Sequence, residues 1–193
     1  FLSAFCSLII AVPASLAVAR RAHWPLMKPL VTVVSLAMVL PTTVAALGLL
    51  AVWGRKGVML ETCRSLGFEF CGDITIYGLH GVVLAHMMLN VPLMMRVFIP
   101  LISAIPERRY HLTALLSLGM LGRFRHVELP QIKQAIPGVL SLVFLMCFTS
   151  FSLVLMLGGG PKVTTLEVEI YSAVRFDFNL AAAAGLSLIQ FGC

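Results

Sequence analysis

Apolar runs about as long as a bilayer is thick recur along this chain, separated by gaps that hold nearly all of its charge. A helix needs roughly 20 apolar residues to cross a hydrocarbon core of about 30 Å. In lipid, a continuous apolar run must also satisfy its own backbone N–H and C=O groups, and a helix does this within one segment. Such runs occupy residues 1–19, 29–53, 76–101 and 137–157, and a fifth starts near Leu180 and stops at Cys193, too short there to cross. The pattern predicts an all-α protein, a polytopic bundle of transmembrane helices. Composition excludes the water-soluble alternative: 11% of the residues are charged, against about 25% in soluble domains. The first run has neither an initiating Met nor a basic leader, so it reads as a truncated span and not as a signal peptide.

The gaps carry an orientation. Arg20, Arg21 and Lys28 follow the first run and are expected to act as cytoplasmic anchors against anionic headgroups. In residues 54–75, Arg55, Lys56 and Arg64 balance Glu61, Glu69 and Asp73. In residues 102–136, Arg108, Arg109, Arg123, Arg125 and Lys133 outnumber Glu107 and Glu128, which places this stretch in the cytoplasm. In residues 158–179, Glu167, Glu169 and Asp177 outnumber Lys162 and Arg175, which places that stretch outside. The net charge of +6 is therefore topological. The bases lie in gaps between spans and not on one face interleaved with aromatics, so no nucleic-acid partner is expected.

No phosphate loop, HExxH helix or GxSxG elbow occurs, so the chain shows no machinery of its own for hydrolysis, and energy for pumping must come from a partner. Cys6, Cys63, Cys71, Cys147 and Cys193 contain no CxxC pair and imply no metal site. Cys63 and Cys71 share one polar gap, where a disulfide is open to them if that gap faces an oxidising compartment. His80 and His86 are about 600° apart around a helix and cannot share a metal or proton site. His80 is expected near the outer interface and His86 buried and hydrogen-bonded. Arg96 is expected to snorkel to the cytoplasmic interface.

The stretch from Pro106 to Pro137 is the informative one, because it is free of proline until Pro130 and long enough to form helices outside the membrane. Its core, "HLTALLSLGMLGRFRHVELP", resembles the EAA loop of binding-protein-dependent ABC importer permeases, whose pattern is EAA, three residues, Gly, nine residues and Ile-x-Leu-Pro. Anchored on Leu129 and Pro130, the ungapped register puts Val127 at the family's Ile, Ser117 at its Gly, His111 at its Glu, and Leu112 and Thr113 at its alanines. His for Glu and Ser for Gly are departures. Gly119 would restore the glycine only by shifting the spacing by two. Three further segments, "LPTTVAALGLLAVWGRKG", "GLHGVVLAHMMLNVPLMMR" and "CFTSFSLVLMLGGGPKVTTLEVEIY", look like the thiamine and ferric-iron members of the family.

The resemblance implies a type I ABC importer permease fold in a bacterial inner membrane. Residues 1–193 would form one permease domain truncated at both ends, with residues 102–136 as its cytoplasmic coupling segment. It implies that His111, Thr113, Ala114, Ser117, Gly119, Val127, Leu129 and Pro130 engage a cytoplasmic ATPase dimer that carries ATP and magnesium. It further implies a periplasmic solute-binding protein, a second permease half fused in the full-length chain, and thiamine, or else ferric iron or another small solute, as cargo.

Within the apolar runs, Pro41, Thr42, Thr43, Asn90, Pro92 and Ser150 are candidates for a translocation path, since a proline frees a carbonyl that lipid cannot satisfy. The same prolines serve equally as packed kinks, and the hydroxyls as bonds to their own helices. Gly159, Gly160, Glu167 and Glu169 are candidates for contact with the binding protein, the glycines equally forming a plain turn. A secondary transporter, the rival reading, calls for carboxylates inside the spans, and none of the acids lies well inside one. An intramembrane enzyme, a third reading, has no paired nucleophile and base on one face.

Overall fold

The computed structural model describes residues 2–21, 24–25, 27–36, 40–66, 76–158 and 165–192, and among them every regular element is helical. The helices are α1 (Leu2–Arg20), α2 (Met27–Leu36), α3 (Thr42–Trp53), α4 (Val58–Ser65), α5 (Leu79–Ser103), α6 (Glu107–Leu115), α7 (Met120–Arg123), α8 (Leu129–Phe148), α9 (Phe151–Leu157), α10 (Leu166–Arg175) and α11 (Leu180–Gly192). A π-helical turn, Phe124–Glu128, joins α7 to α8. Among the described residues, four stretches are long and apolar enough to cross a membrane: Leu2–Arg20, Thr42–Ser65, Leu79–Ser103 and Met120–Phe148.

The chain divides into two compact units. The first comprises residues 1–39 and 86–147. Its core joins Ala4, Ala11 and Leu16 of α1 to Leu93, Met94, Phe98 and Ile102 of α5, and to Ile132, Val139 and Val143 of α8. The buried face of α1 is a row of small residues, Ala4, Ser7, Ala11 and Ser15, spaced three to four apart on one side of the helix. Small side chains let helix backbones approach closely, which is how helices gain dispersion energy in lipid, where hydrophobic sequestration between them is lost. Ser7 and Ser15 donate to the carbonyls of Ser3 and Ala11 at 2.7 and 2.6 Å, so their buried hydroxyls are satisfied within α1 itself.

The second unit comprises residues 40–85 and 148–193. In it α3 packs against α4 and α9, and α10 against α9 and α11. Ala45, Ala46 and Leu49 of α3 and Leu153, Val154 and Leu157 of α9 are buried. Gly78 ties the start of α5 to the end of α9, its N–H donating to the Leu157 carbonyl at 2.7 Å. Its φ of 121° is one that an L side chain rarely adopts.

Three boundaries differ from those read off the sequence. The run 29–53 is not one helix: Pro41 is extended at φ −55° and ψ 141°, and α3 starts only at Thr42. Because proline has no N–H and disfavours a helical residue before it, a helix begins afresh there. The apolar stretch continues instead through α4, inside the segment read as a polar loop. The run 137–157 starts earlier, since α8 is already helical from Leu129, and it is broken between Phe148 and Phe151. The acidic stretch 158–179 contains a helix, α10.

Ala11 has no exposed surface, so Ala11→Leu must force α1 off its neighbours. A loss of about 1–3 kcal/mol is expected, read as a lower thermal midpoint of the purified protein in detergent. Phe5→Leu on the exposed face should leave the midpoint unchanged.

Candidate functional site

The most strongly organised polar site lies where α1, α6 and the turn before α8 meet. Glu128 is completely buried. Arg20, the last residue of α1, grips its carboxylate with two bonds, Nε to Oε1 at 3.0 Å and Nη2 to Oε2 at 2.5 Å. Arg123 adds a third, Nε to Oε1 at 3.2 Å, and its guanidinium lies 4.2 Å from the centre of the Tyr110 ring of α6. A buried carboxylate is tolerated only when paired and fully hydrogen-bonded. This one locks α1, α6 and α8 together across 108 residues of sequence.

Local geometry aims Glu128 inward. Pro130 has no N–H for an ordinary helical bond and its ring crowds the carbonyl four residues back. The helix answers by widening: the Leu129 N–H donates five residues back, to the Phe124 carbonyl, and the turn becomes π-helical. Such single turns occur often at functional sites.

Helix α6 ends in a Schellman motif, with the Ser117 N–H donating to the Ala114 carbonyl and the Leu118 N–H to the Thr113 carbonyl, both at 3.0 Å. The motif needs a left-handed residue after the cap, and Ser117 supplies it at φ 51°. Ser117 is the position aligned with the family's glycine, and the glycine-demanding feature there is backbone conformation rather than side-chain bulk. Gly119 has an extended backbone at φ −65° and open space around its Cα.

The other candidate coupling residues fall in different environments. Thr113 is buried and donates to the Tyr110 carbonyl at 2.7 Å. Thr113, Ala114 and Gly119 line, with Arg20, Tyr110 and Arg123, a cavity of about 300 Å³. Val127 is in the core, Leu129 half-buried, and His111 and Pro130 exposed. Sequence reading missed Leu115 and Leu116, which with Leu112 leave an apolar face of α6 uncovered, 80% and 70% exposed for the two former. Their i, i+3, i+4 spacing was the available signal. Glu128 and Arg20 were read only as loop charge and anchor.

The translocation-path candidates fall in different places. Asn90 and Pro92 are buried in the first unit, where the Asn90 amide donates to Cys147 Sγ at 3.1 Å. Pro41, Thr42 and Thr43 are exposed in the second unit, and Ser150 is buried at the break before α9. His86 is buried, with Nδ1 3.1 Å from Ser3 Oγ, while His80 is exposed. Of the external candidates, Glu169 is exposed, whereas Glu167 is half-buried and accepts from Gln190 of α11 at 3.2 Å. Gly159 and Gly160 lie outside the described residues. Cys63 is disulfide-bonded; Cys71 lies outside the described residues.

Four bilayer-length stretches among the described residues, the first of them tied to a basic segment by a buried ion pair, define an integral membrane protein. Residues 11–192 match the family described as binding-protein-dependent transport system inner membrane component, and the chain belongs to that family. It is similar to the thiamine transport system permease protein ThiP of Escherichia coli (strain K12), 40% identical over 193 residues, covering 100% of this chain and 35% of the relative. The ThiP of Brucella abortus (strain 2308) is 38% identical over 188 residues, 97% of this chain and 34% of the relative. That of Haemophilus influenzae is 39% identical over 164 residues, 85% of this chain and 30% of the relative. The chain thus spans about a third of the length of these relatives.

Two variants test the site. Glu128→Gln leaves two arginines around a neutral amide, and a loss of about 3 kcal/mol is expected, seen as a large drop in thermal midpoint. Ser117→Gly should instead raise the midpoint by the equivalent of about 1 kcal/mol, by removing the Cβ strain of a left-handed residue.

Proposed function

We propose that this chain is part of the membrane-spanning permease of an ATP-driven importer in a bacterial inner membrane, and that its cargo is thiamine. The family supplies the class, and similarity to three thiamine permeases supports the cargo. The observation that carries the coupling assignment is the uncovered apolar face of α6, Leu112, Leu115 and Leu116, in a segment whose charge favours the cytoplasm. Amphipathic helices are recognised by laying such a face into a partner's groove.

In this reading α6 docks on a cytoplasmic ATPase dimer, which binds ATP and magnesium. Each nucleotide state stabilises a different arrangement of the spans, so access alternates between the two sides. The rigid link from α6 to α1 and α8 is the Tyr110, Arg123, Glu128 and Arg20 chain, which carries displacement of the docked helix into two spans. A periplasmic solute-binding protein delivers the cargo to the opposite side, with Glu169 as one contact. A second permease half completes the path, and residues 1–193 act as one permease domain with 102–136 as its coupling segment.

Leu115→Glu and Leu116→Glu put a charge on the docking face without touching the core. In the full-length protein assembled with its ATPase and binding protein, labelled thiamine uptake should fall at least tenfold, with the complex still folded. Transport-dependent ATP hydrolysis should fall with it. Unchanged uptake and hydrolysis in both variants would refute the coupling role. Ferric uptake measured in parallel, exceeding thiamine uptake, would refute the cargo.

A further inference from the structure

The cavity beside Glu128 opens next to a second one. The first, about 300 Å³, is lined by Arg20, Tyr110, Arg123 and the α6 end. The second, about 440 Å³, runs along α1 and is lined by Val12, Pro13, Leu16, Met120, Leu121 and Phe124, with Arg20 and Met120 common to both. One is basic and the other apolar, and they adjoin at the end of a span.

The charge does not balance. Glu128 carries one negative charge and has two guanidiniums on it. Arg123 uses only Nε on the carboxylate, and its two terminal nitrogens have no acceptor among the described residues. Val12 lies eight residues before Arg20 on α1, about 12 Å along the axis, which is the direction of the hydrocarbon. By contrast, the cavity of about 540 Å³ at the other end of α1 has Ser141 as the sole polar lining side chain among the described residues and names no occupant.

We propose that this pair of cavities is a binding site for one anionic phospholipid. Its phosphate sits between Arg20 and Arg123, the Tyr110 ring backs the Arg123 guanidinium, and an acyl chain lies along Val12, Pro13, Leu16 and Phe124. Basic pockets between spans on the cytoplasmic side select anionic headgroups because the excess positive charge is attractive, while the groove supplies the apolar seat that a soluble phosphate would lack. A bound lipid would neutralise the surplus guanidinium and close the gap between α1 and the end of α6. The site rests on the cytoplasmic placement of residues 102–136 proposed above.

The test uses the full-length permease with its ATPase, reconstituted in nanodiscs holding equal phosphatidylglycerol and phosphatidylcholine, and native mass spectrometry of lipid that stays bound after detergent exchange. Wild type should retain phosphatidylglycerol preferentially. Arg123→Gln should reduce that preference about fivefold, the effect of one basic residue at a membrane surface, and Arg123→Lys should keep it. Leu121→Asn, which is exposed and spoils the apolar seat, should lower total retention with the preference intact. Equal retention of both lipids by wild type, or an unchanged preference in Arg123→Gln, would overturn the proposal. So would retention by the permease alone that vanishes when the ATPase binds, since the cavity would then be a seat for that partner. Cysteine labelling at Arg125→Cys reads the orientation separately: labelling from the periplasmic side would sink the topology whatever the lipid result.

Discussion

The buried carboxylate of Glu128 is the constraint on which the first unit depends. Removing a charge from water is unfavourable by several kcal/mol even after relaxation, so this side chain can sit there only while Arg20 and Arg123 remain in place. That requirement fixes three things together: the end of α1, the pitch of the turn before α8, and the position of α6 through the Tyr110 ring. Apolar packing could hold the same helices with considerable slack, because one small residue slides over another at little cost. A two-pronged guanidinium and carboxylate pair permits one geometry. The core of small and apolar residues supplies the attraction, and the ion pair supplies the register.

The division of the chain into two compact units confines that register to one of them. The unit holding Glu128 contains the polar connector between α5 and α8 together with the first span. The other unit holds the helices around the acidic stretch. Helix α6 therefore belongs to a body whose own parts are keyed to one another by charge, so that any displacement of it would favour movement as a block over local yielding.

Much of this was legible in the sequence, and what was not has identifiable causes. The spans at α1 and α5 stand out because hydrocarbon length and the absence of charge leave no other solution. The second span was misjudged because hydropathy is blind to backbone: one proline, Pro41, barely changes the apolar average of a long run, yet its extended backbone makes α3 start only at Thr42. The break at Ser150 was hidden for the same reason. Ser117 could be placed by motif, but its left-handed backbone follows from the cap bonds to Thr113 and Ala114, which no alignment displays. The Arg20–Glu128 pair was illegible, because 108 intervening residues carry no local trace of a contact made in space. Glu128 counted as one acid in a basic loop, and a tally of charge cannot tell a solvated carboxylate from one sealed inside the bundle.

The π-helical turn has a consequence for how this segment tolerates change. A turn of that kind takes up one more residue than an α turn, so everything beyond Pro130 is rotated by about 100° from where an uninterrupted helix would carry it. Ile132, Val139 and Val143, buried beyond that turn, lie on the face whose direction it sets. The azimuth of an entire span is thus set by one extra residue in the turn at its entrance, and gaining or losing a single residue there would turn a buried face toward lipid without altering one apolar side chain.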